Sequence, residues 1–302
     1  MASEKKKKTV LLIGGTGQLG TMIARELLKK KASVNLRLLV RPGSKSKLSS
    51  DLASNAEVVE NDKEAFKDVY SVVCSVQGGP DVIVDAQLGW LKAARDAGVK
   101  RFIPSSFSFN FFGLSDGENI NSDWRREFGL KARQERGNVE VVHVMNGCFL
   151  DKGVLFGFLQ MFDLEKGEAY QWGDGEMPID LTTYADTAVY TAEVATEQQQ
   201  SLPEQFFLSG ETLTFHQLVD KVGKSLHSPP RSLTIKKMGS IDDLSAEIDR
   251  RQKAEPNNPM AWLPFMYLRG MMSGKGKLGK LQNDRFPHLK TMGVEEYVKQ
   301  MG

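Results

Sequence analysis

An unbroken apolar run at 10–13 is followed by glycines, then by Met22, Ile23 and Leu27 at the spacing of one face of a helix over 18–31. The alternation then repeats. A second apolar run at 36–40 closes on RPGSKSK, a weaker third lies at 56–60, and a fourth at 69–76 ends at QGGP. A helix over 86–97 directs Trp90, Leu91 and Ala94 inward and stops at Gly98; further strands are expected at 101–104 and 139–145. Short apolar runs separated by helix-length amphipathic segments are βαβ units, which pair in parallel and need cover on both faces. The pattern predicts an α/β fold with a doubly wound parallel sheet over residues 1–150.

After Asn146 the rhythm breaks. Short strands precede a helix beginning near Tyr184, and a strand leads to a helix with a capped start at Thr214. Helices are expected near 240–254 and 259–272, among Pro229, Pro230, Pro256, Pro259 and Pro264. The run SGKGKLGK has no preceding strand and lacks the Walker spacing, so it reads as a flexible turn. Residues 151–302 are expected to form a smaller C-terminal α+β substrate domain covering the sheet's C-terminal edge, with 180–200 packing back onto the first domain.

Composition narrows the classes. A net charge of +2 over 302 residues gives no support to nucleic-acid binding. The run Lys5 to Lys8 reads as a solvated tail. Two cysteines, Cys74 and Cys148, make no disulfide framework, and no apolar run reaches a membrane span of about 18 residues. The expectation is a cytoplasmic protein, monomer or homodimer, without membrane or nucleic-acid partners. His143 sits in an apolar strand and reads as core; His216, His227 and His288 are scattered, so no metal is expected.

Gly14, Gly17 and Gly20 form G-x-x-G-x-x-G between the first strand and the first helix. A tight turn, close backbone approach to a pyrophosphate and close helix–strand packing each need a missing side chain, the signature of a Rossmann dinucleotide site. Where a NAD site carries an acid at the end of strand two, this chain has Arg41, followed by Lys45 and Lys47. A guanidinium fork suits a 2′-phosphate, so NADP(H) is the expected cofactor. None of the six tyrosines has a lysine four residues later, which excludes the usual Tyr-x-x-x-Lys device.

GGTGQLG, LLVRP, AGVKRFIPSSFSFN and VVHVMNGCF, in this order and spacing, resemble the NmrA-like atypical short-chain dehydrogenases, which include the isoflavone reductases and their phenylpropanoid relatives. The likeness covers residues 9–150; beyond it only the general layout and TTYADTAVYTA match. The resemblance implies that Thr16, Gly17, Gln18 and Leu19 wrap the pyrophosphate, and that Arg41 and Lys47 hold the 2′-phosphate. It implies that Ser75, Val76 and Gln77, with Ser105, Ser106 and Phe107, line the adenosine and nicotinamide ends. Asn146, Gly147, Cys148 and Phe149 would border the nicotinamide and a small-molecule substrate, with Cys148 read as packed rather than reactive. The lysine that isoflavone-type members carry falls at Arg126 or a neighbour, with Lys131 about a turn and a half later. These two are the catalytic candidates, although arginine hardly gives up a proton; a water, Tyr184 or the substrate itself would otherwise serve. Phe107, Phe109, Phe111 and Phe112, close after the fifth strand, either line an aromatic substrate pocket or form core beneath the smaller domain, and the position at the sheet edge favours the pocket. The implied function is an NADPH-dependent reductase of a small, aromatic or otherwise apolar substrate; the alternative is an NADP(H)-sensing regulator without turnover.

Overall fold

Val10, Leu11 and Leu12 are wholly buried because the strand that carries them, β1 (Lys8–Ile13), is the centre of a parallel sheet. The computed structural model describes residues 7–226 and 232–301. His227, Pro229, Pro230, Lys5 and Lys6 lie outside the described residues, while Lys8 begins β1 rather than belonging to a solvated tail.

β1 is followed by α1 (Gln18–Lys29), β2 (Val34–Leu39), α2 (Ser50–Asn55), β3 (Glu57–Val59), α3 (Asp62–Ala65) and β4 (Val69–Cys74). Then come α4 (Gln87–Asp96), β5 (Arg101–Ile103), α5 (Ile120–Glu135) and β6 (Glu140–Val141). The six strands pair in parallel in the order β3-β2-β1-β4-β5-β6. This is a doubly wound sheet whose order reverses between β1 and β4, the crevice where such sheets take ligands. Ile13 stands level with Leu39 on one side and Cys74 on the other, so three loops leave the same sheet edge together. Leu11, Val72, Cys74, Leu91, Phe102 and Phe128 share one core cluster.

Three expectations are refined. The fourth strand stops at Cys74 rather than 76, because the Val76 N–H turns to the Ser105 hydroxyl (3.2 Å). The sixth divides at Val142: β6 pairs with β5, while the His143 N–H donates to the Glu204 carbonyl (2.7 Å). The helix expected from 86 is entered through a π-helical turn, Asp81–Ala86.

The chain clusters into two units that interleave along the sequence. The first holds the chain up to Phe107, Trp124–Val144 and Thr187–Phe206; the second holds Ser108–Asp123, Met145–Asp186 and the chain from Phe207 onward. In the first, Arg101 is 1% exposed and its guanidinium donates to the carbonyls of Val194 (2.7 Å) and Glu197 (2.8 Å) and to the Glu140 carboxylate. Ser71 adds a hydroxyl bond to the Ala195 carbonyl.

The second unit has two small three-stranded sheets. One joins Thr234–Gly239, Glu168–Trp172 and Phe162–Asp163; the other joins Glu211–Leu213, Ile179–Thr182 and Cys148–Phe149. Thr214 caps the helix Phe215–Leu226 by exchanging hydrogen bonds with Gln217. SGKGKLGK is not a flexible turn. Gly270 and Gly276 lie against the Phe109 ring, Gly276 N–H donates to the Gly270 carbonyl, and Lys277 is ion-paired to Asp180. Among the described residues no helix is long and apolar enough to cross a membrane, and no group of side chains could hold a metal ion.

Candidate functional site

The turn after β1 is closed by contacts that only glycine permits. Gly14 has φ +93°, and a β-carbon there would stand 2.2 Å from the Ser75 carbonyl oxygen. One at Gly20 would stand 2.1 Å from the Gly14 carbonyl oxygen. A β-carbon at Gly17 would make only an ordinary contact, 3.7 Å from the Gly14 carbonyl oxygen; Gly17 is the residue before α1, and no side chain caps the helix amides. Thr16, Gly17 and Gln18 are exposed, while Leu19 is buried in the core. An uncapped helix start above a cradle that β-carbons would fill is chemically suited to a pyrophosphate.

At the end of β2, Arg41 and Lys47 are exposed and form no ion pair or side-chain hydrogen bond among the described residues. Lys47 ends a 3₁₀ turn, Lys45–Lys47. The loop between them is shaped by Glu60, whose carboxylate accepts from the Gly43 N–H (3.1 Å). Sequence reasoning did not single out Glu60, since nothing local marks a residue that follows the next strand.

The loops after β4 and β5 are fastened together. The Ser105 hydroxyl donates to the Val76 carbonyl (2.7 Å) and accepts from the Val76 N–H, while the Ser105 N–H donates to the Gln87 side chain (2.8 Å). Ser75 and Val76 are half-buried and Gln77 is exposed; Ser105, Ser106 and Phe107 are buried. Ser106 Oγ is 2.7 Å from His143 Nδ1, and burial holds that imidazole near pKa 3, so it is neutral. Arg125 Nε donates to the Ser105 carbonyl (3.2 Å). Arg125 is the neighbour of Arg126 that reaches this loop; the helical pattern of DWRREFGLK does not say which basic residue turns inward. Its neighbour Arg126 is half-buried and partnered. Lys131 is exposed and paired with Glu127 at 2.6 Å, an i,i+4 bond that raises its pKa.

In the second unit, Asn146 is wholly buried. Its N–H donates to the Ser108 carbonyl and its carbonyl accepts from Thr182 Oγ1 (2.6 Å), yet neither side-chain amide atom has a partner among the described residues. An orphaned buried amide is costly unless a ligand or water completes it. Gly147 has φ +70°, and a β-carbon would lie 2.3 Å from the Asp180 carbonyl oxygen. Asp180 accepts from Lys277 (2.6 and 2.7 Å), from Thr212 Oγ1 and from the Leu278 N–H. Burial pushes the Cys148 thiol up to about 12, so it is protonated and inert. Phe149 stacks on Tyr184 at 4.1 Å, and burial pushes that phenol up to about 12 as well. Phe109 and Phe111 are buried; Phe109 stands edge-on to Tyr267 at 5.4 Å and lines a small pocket with Gly147 and Cys148.

The family described as the NmrA-like family matches residues 6–237. An NmrA-like family domain-containing oxidoreductase of Gibberella moniliformis (strain M3125 / FGSC 7600) is 23% identical over 231 residues, covering 70% of this chain and 75% of that protein. Among solved structures, AtPrR2 with NADP+ and (+)pinoresinol superposes with TM-score 0.78 at 22% identity, covering 98% and 99% of the two chains. An isoflavone reductase gives 0.80 at 19% identity, covering 98% and 100%. The binary complex of leucoanthocyanidin reductase and NADPH from Vitis vinifera gives 0.74 at 18% identity, covering 97% and 99%. At these identities the structures establish the fold.

Proposed function

This chain belongs to the NmrA-like family, and on that premise we propose that it is an NADPH-dependent reductase of a small, aromatic or otherwise apolar substrate. The observation that carries the reading is the glycine cradle at Gly14 and Gly20, with the side chains of Arg41 and Lys47 unpaired among the described residues after the neighbouring strand. Support also comes from the relative named an oxidoreductase and from neighbours solved with NADP+ or NADPH.

NADPH, when bound, supplies the hydride. Thr16 and Gln18 offer backbone N–H groups to the pyrophosphate, the Gly17 N–H closes the turn on the Gly14 carbonyl (3.2 Å), and Gly14 and Gly20 let the chain approach the ligand. Arg41 and Lys47 provide positive charge for the 2′-phosphate, where a carboxylate would repel it. Ser75, Val76, Gln77, Ser105, Ser106 and Phe107 form a loop pair that hydrogen bonds already hold in place, so little ordering cost falls on binding. The Asn146 amide offers an NH2 donor group with two N–H bonds and a carbonyl acceptor. Gly147, Cys148 and Phe149 supply an inert apolar border. Tyr184 keeps its proton at neutral pH and can donate only to a strongly basic oxygen.

A second reading, an NADP(H) sensor without turnover, is favoured by one observation. Lys131 is paired with Glu127 on an exposed helix face, and the other candidate, Arg126, carries a guanidinium suited to positioning. For Lys131 to act, it must leave Glu127. The test is titration with NADPH, then absorbance loss in the presence of quinones, aromatic ketones and unsaturated phenolics. Oxidation of NADPH by any of these supports the reductase, and its loss in Lys131→Met or Arg126→Met would assign the proton donor. Tight binding with no oxidation overturns the reductase in favour of the sensor; no NADPH binding overturns both.

A further inference from the structure

The second unit contains an open cavity of about 470 Å³. It falls within the range of small-molecule sites. Phe156, Phe162, Tyr170 and Met301 supply an apolar wall, with Phe156 and Phe162 at 5.3 Å between ring centres. Lys152 and Gln160 complete the lining, and the side chains of both lack a hydrogen-bond or ion-pair partner among the described residues.

Two irregularities converge on this cavity. Its wall includes the π-helical turn Val154–Phe158; the other π-turn, Asp81–Ala86, follows the candidate cofactor loop. Such turns recur at functional sites. Gln160, two residues after the turn, has φ +53°, one of two non-glycine residues with positive φ among the described residues. That conformation costs about 1 kcal/mol or more, and a sequence that keeps glutamine there forgoes the relief glycine would bring.

The charges select the ligand. Asp163 is neutralised by Lys166 at 2.7 Å, leaving Glu165 to balance Lys152, so a net anion gains little. What remains is an aromatic wall with two hydrogen-bond donor groups. We propose that this cavity binds a neutral, planar aromatic molecule through a carbonyl oxygen that accepts from Lys152 and Gln160. The inference is independent of the reductase reading, because it stands on the second unit alone.

Calorimetric titration of the full chain with 7-methoxycoumarin tests it, with NADPH affinity measured in parallel. Saturable one-site binding is expected, with coumarin-3-carboxylate (anionic) and 2-methoxynaphthalene (no carbonyl) binding several-fold more weakly. Lys152→Met and Gln160→Leu should each weaken 7-methoxycoumarin roughly 3- to 10-fold, the size of one hydrogen bond, with NADPH affinity unchanged. Gln160→Gly should raise the unfolding midpoint while weakening the probe, so its loss of binding does not come from misfolding. Absence of saturable binding, equal affinity of the variants, or a naphthalene that binds as well as the coumarin would overturn the proposal. Loss of NADPH binding by the wild-type chain, with coumarin binding retained, would count against the reductase reading alone.

Discussion

The α-carbon of Gly20 lies so close to Gly14 that an added β-carbon would stand 2.1 Å from the Gly14 carbonyl oxygen. Helix propensity alone favours alanine over glycine by about 1 kcal/mol at an interior position. Here the clash is with backbone, which no side-chain rotation relieves, and overpacking of this kind costs about 1–3 kcal/mol. Gly20→Ala is therefore expected to lower stability and weaken NADPH at least tenfold. Gly89→Ala in α4, where nothing lies within 4 Å of the added atom, should be neutral or slightly stabilising. Urea denaturation and NADPH fluorescence titration of the pair check this; a stabilised Gly20→Ala would refute the packing argument.

Arg41 is exposed and unpaired among the described residues, so its removal leaves nothing stranded in the protein. Arg41→Ala should weaken NADPH roughly 10- to 100-fold, the size of charge-assisted hydrogen bonds to a phosphate, and NADH hardly at all. Equal losses for both cofactors would remove the 2′-phosphate assignment.

His143 predicts a pH dependence of stability. Burial favours the neutral imidazole and holds it near pKa 3, while the unfolded residue takes up a proton near 6.5. Its contribution is thus present above pH 6.5 and lost as the pH falls toward 3, at up to about 1.4 kcal/mol per unit. His143→Gln should flatten the urea midpoint between pH 7 and 4 relative to wild type. Parallel curves would show that the imidazole does not titrate on unfolding.

Arg101→Met should cost about 1–3 kcal/mol, because it strands the buried Val194 carbonyl, while the Glu140 carboxylate keeps Lys100 (2.8 Å) and the Glu197 carbonyl keeps the Tyr70 hydroxyl (2.8 Å). Arg101→Lys should recover only part, since an ammonium cannot reach all three partners in the planar fork geometry. Full recovery with lysine would mean that charge rather than geometry holds this segment.

Much of the fold was legible because its signals are local. Apolar runs at 10–13 and 36–40 became β1 and β2 of a parallel sheet, and Thr214 caps its helix. Positions defined by distant partners were not legible. Val142 interrupts the sixth strand because His143 pairs with Glu204, sixty-one residues away in sequence. SGKGKLGK has the composition of a flexible turn, yet the Phe109 ring and Asp180 hold it in place. Among the candidate site residues, the glycines needed no tertiary information. Glu60 and Arg125 did, since the Gly43 N–H and the Ser105 carbonyl reach them through the fold.

The sequence by itself determined the parallel α/β sheet, the glycine turn and the basic end of β2, because strand, turn and helix preferences act over a few residues. Only the tertiary structure decided that Arg125 reaches the Ser105 carbonyl, and that Asn146 buries an amide with no partner among the described residues. Those properties depend on burial and on partners brought from elsewhere in the chain, which spacing along the sequence does not encode.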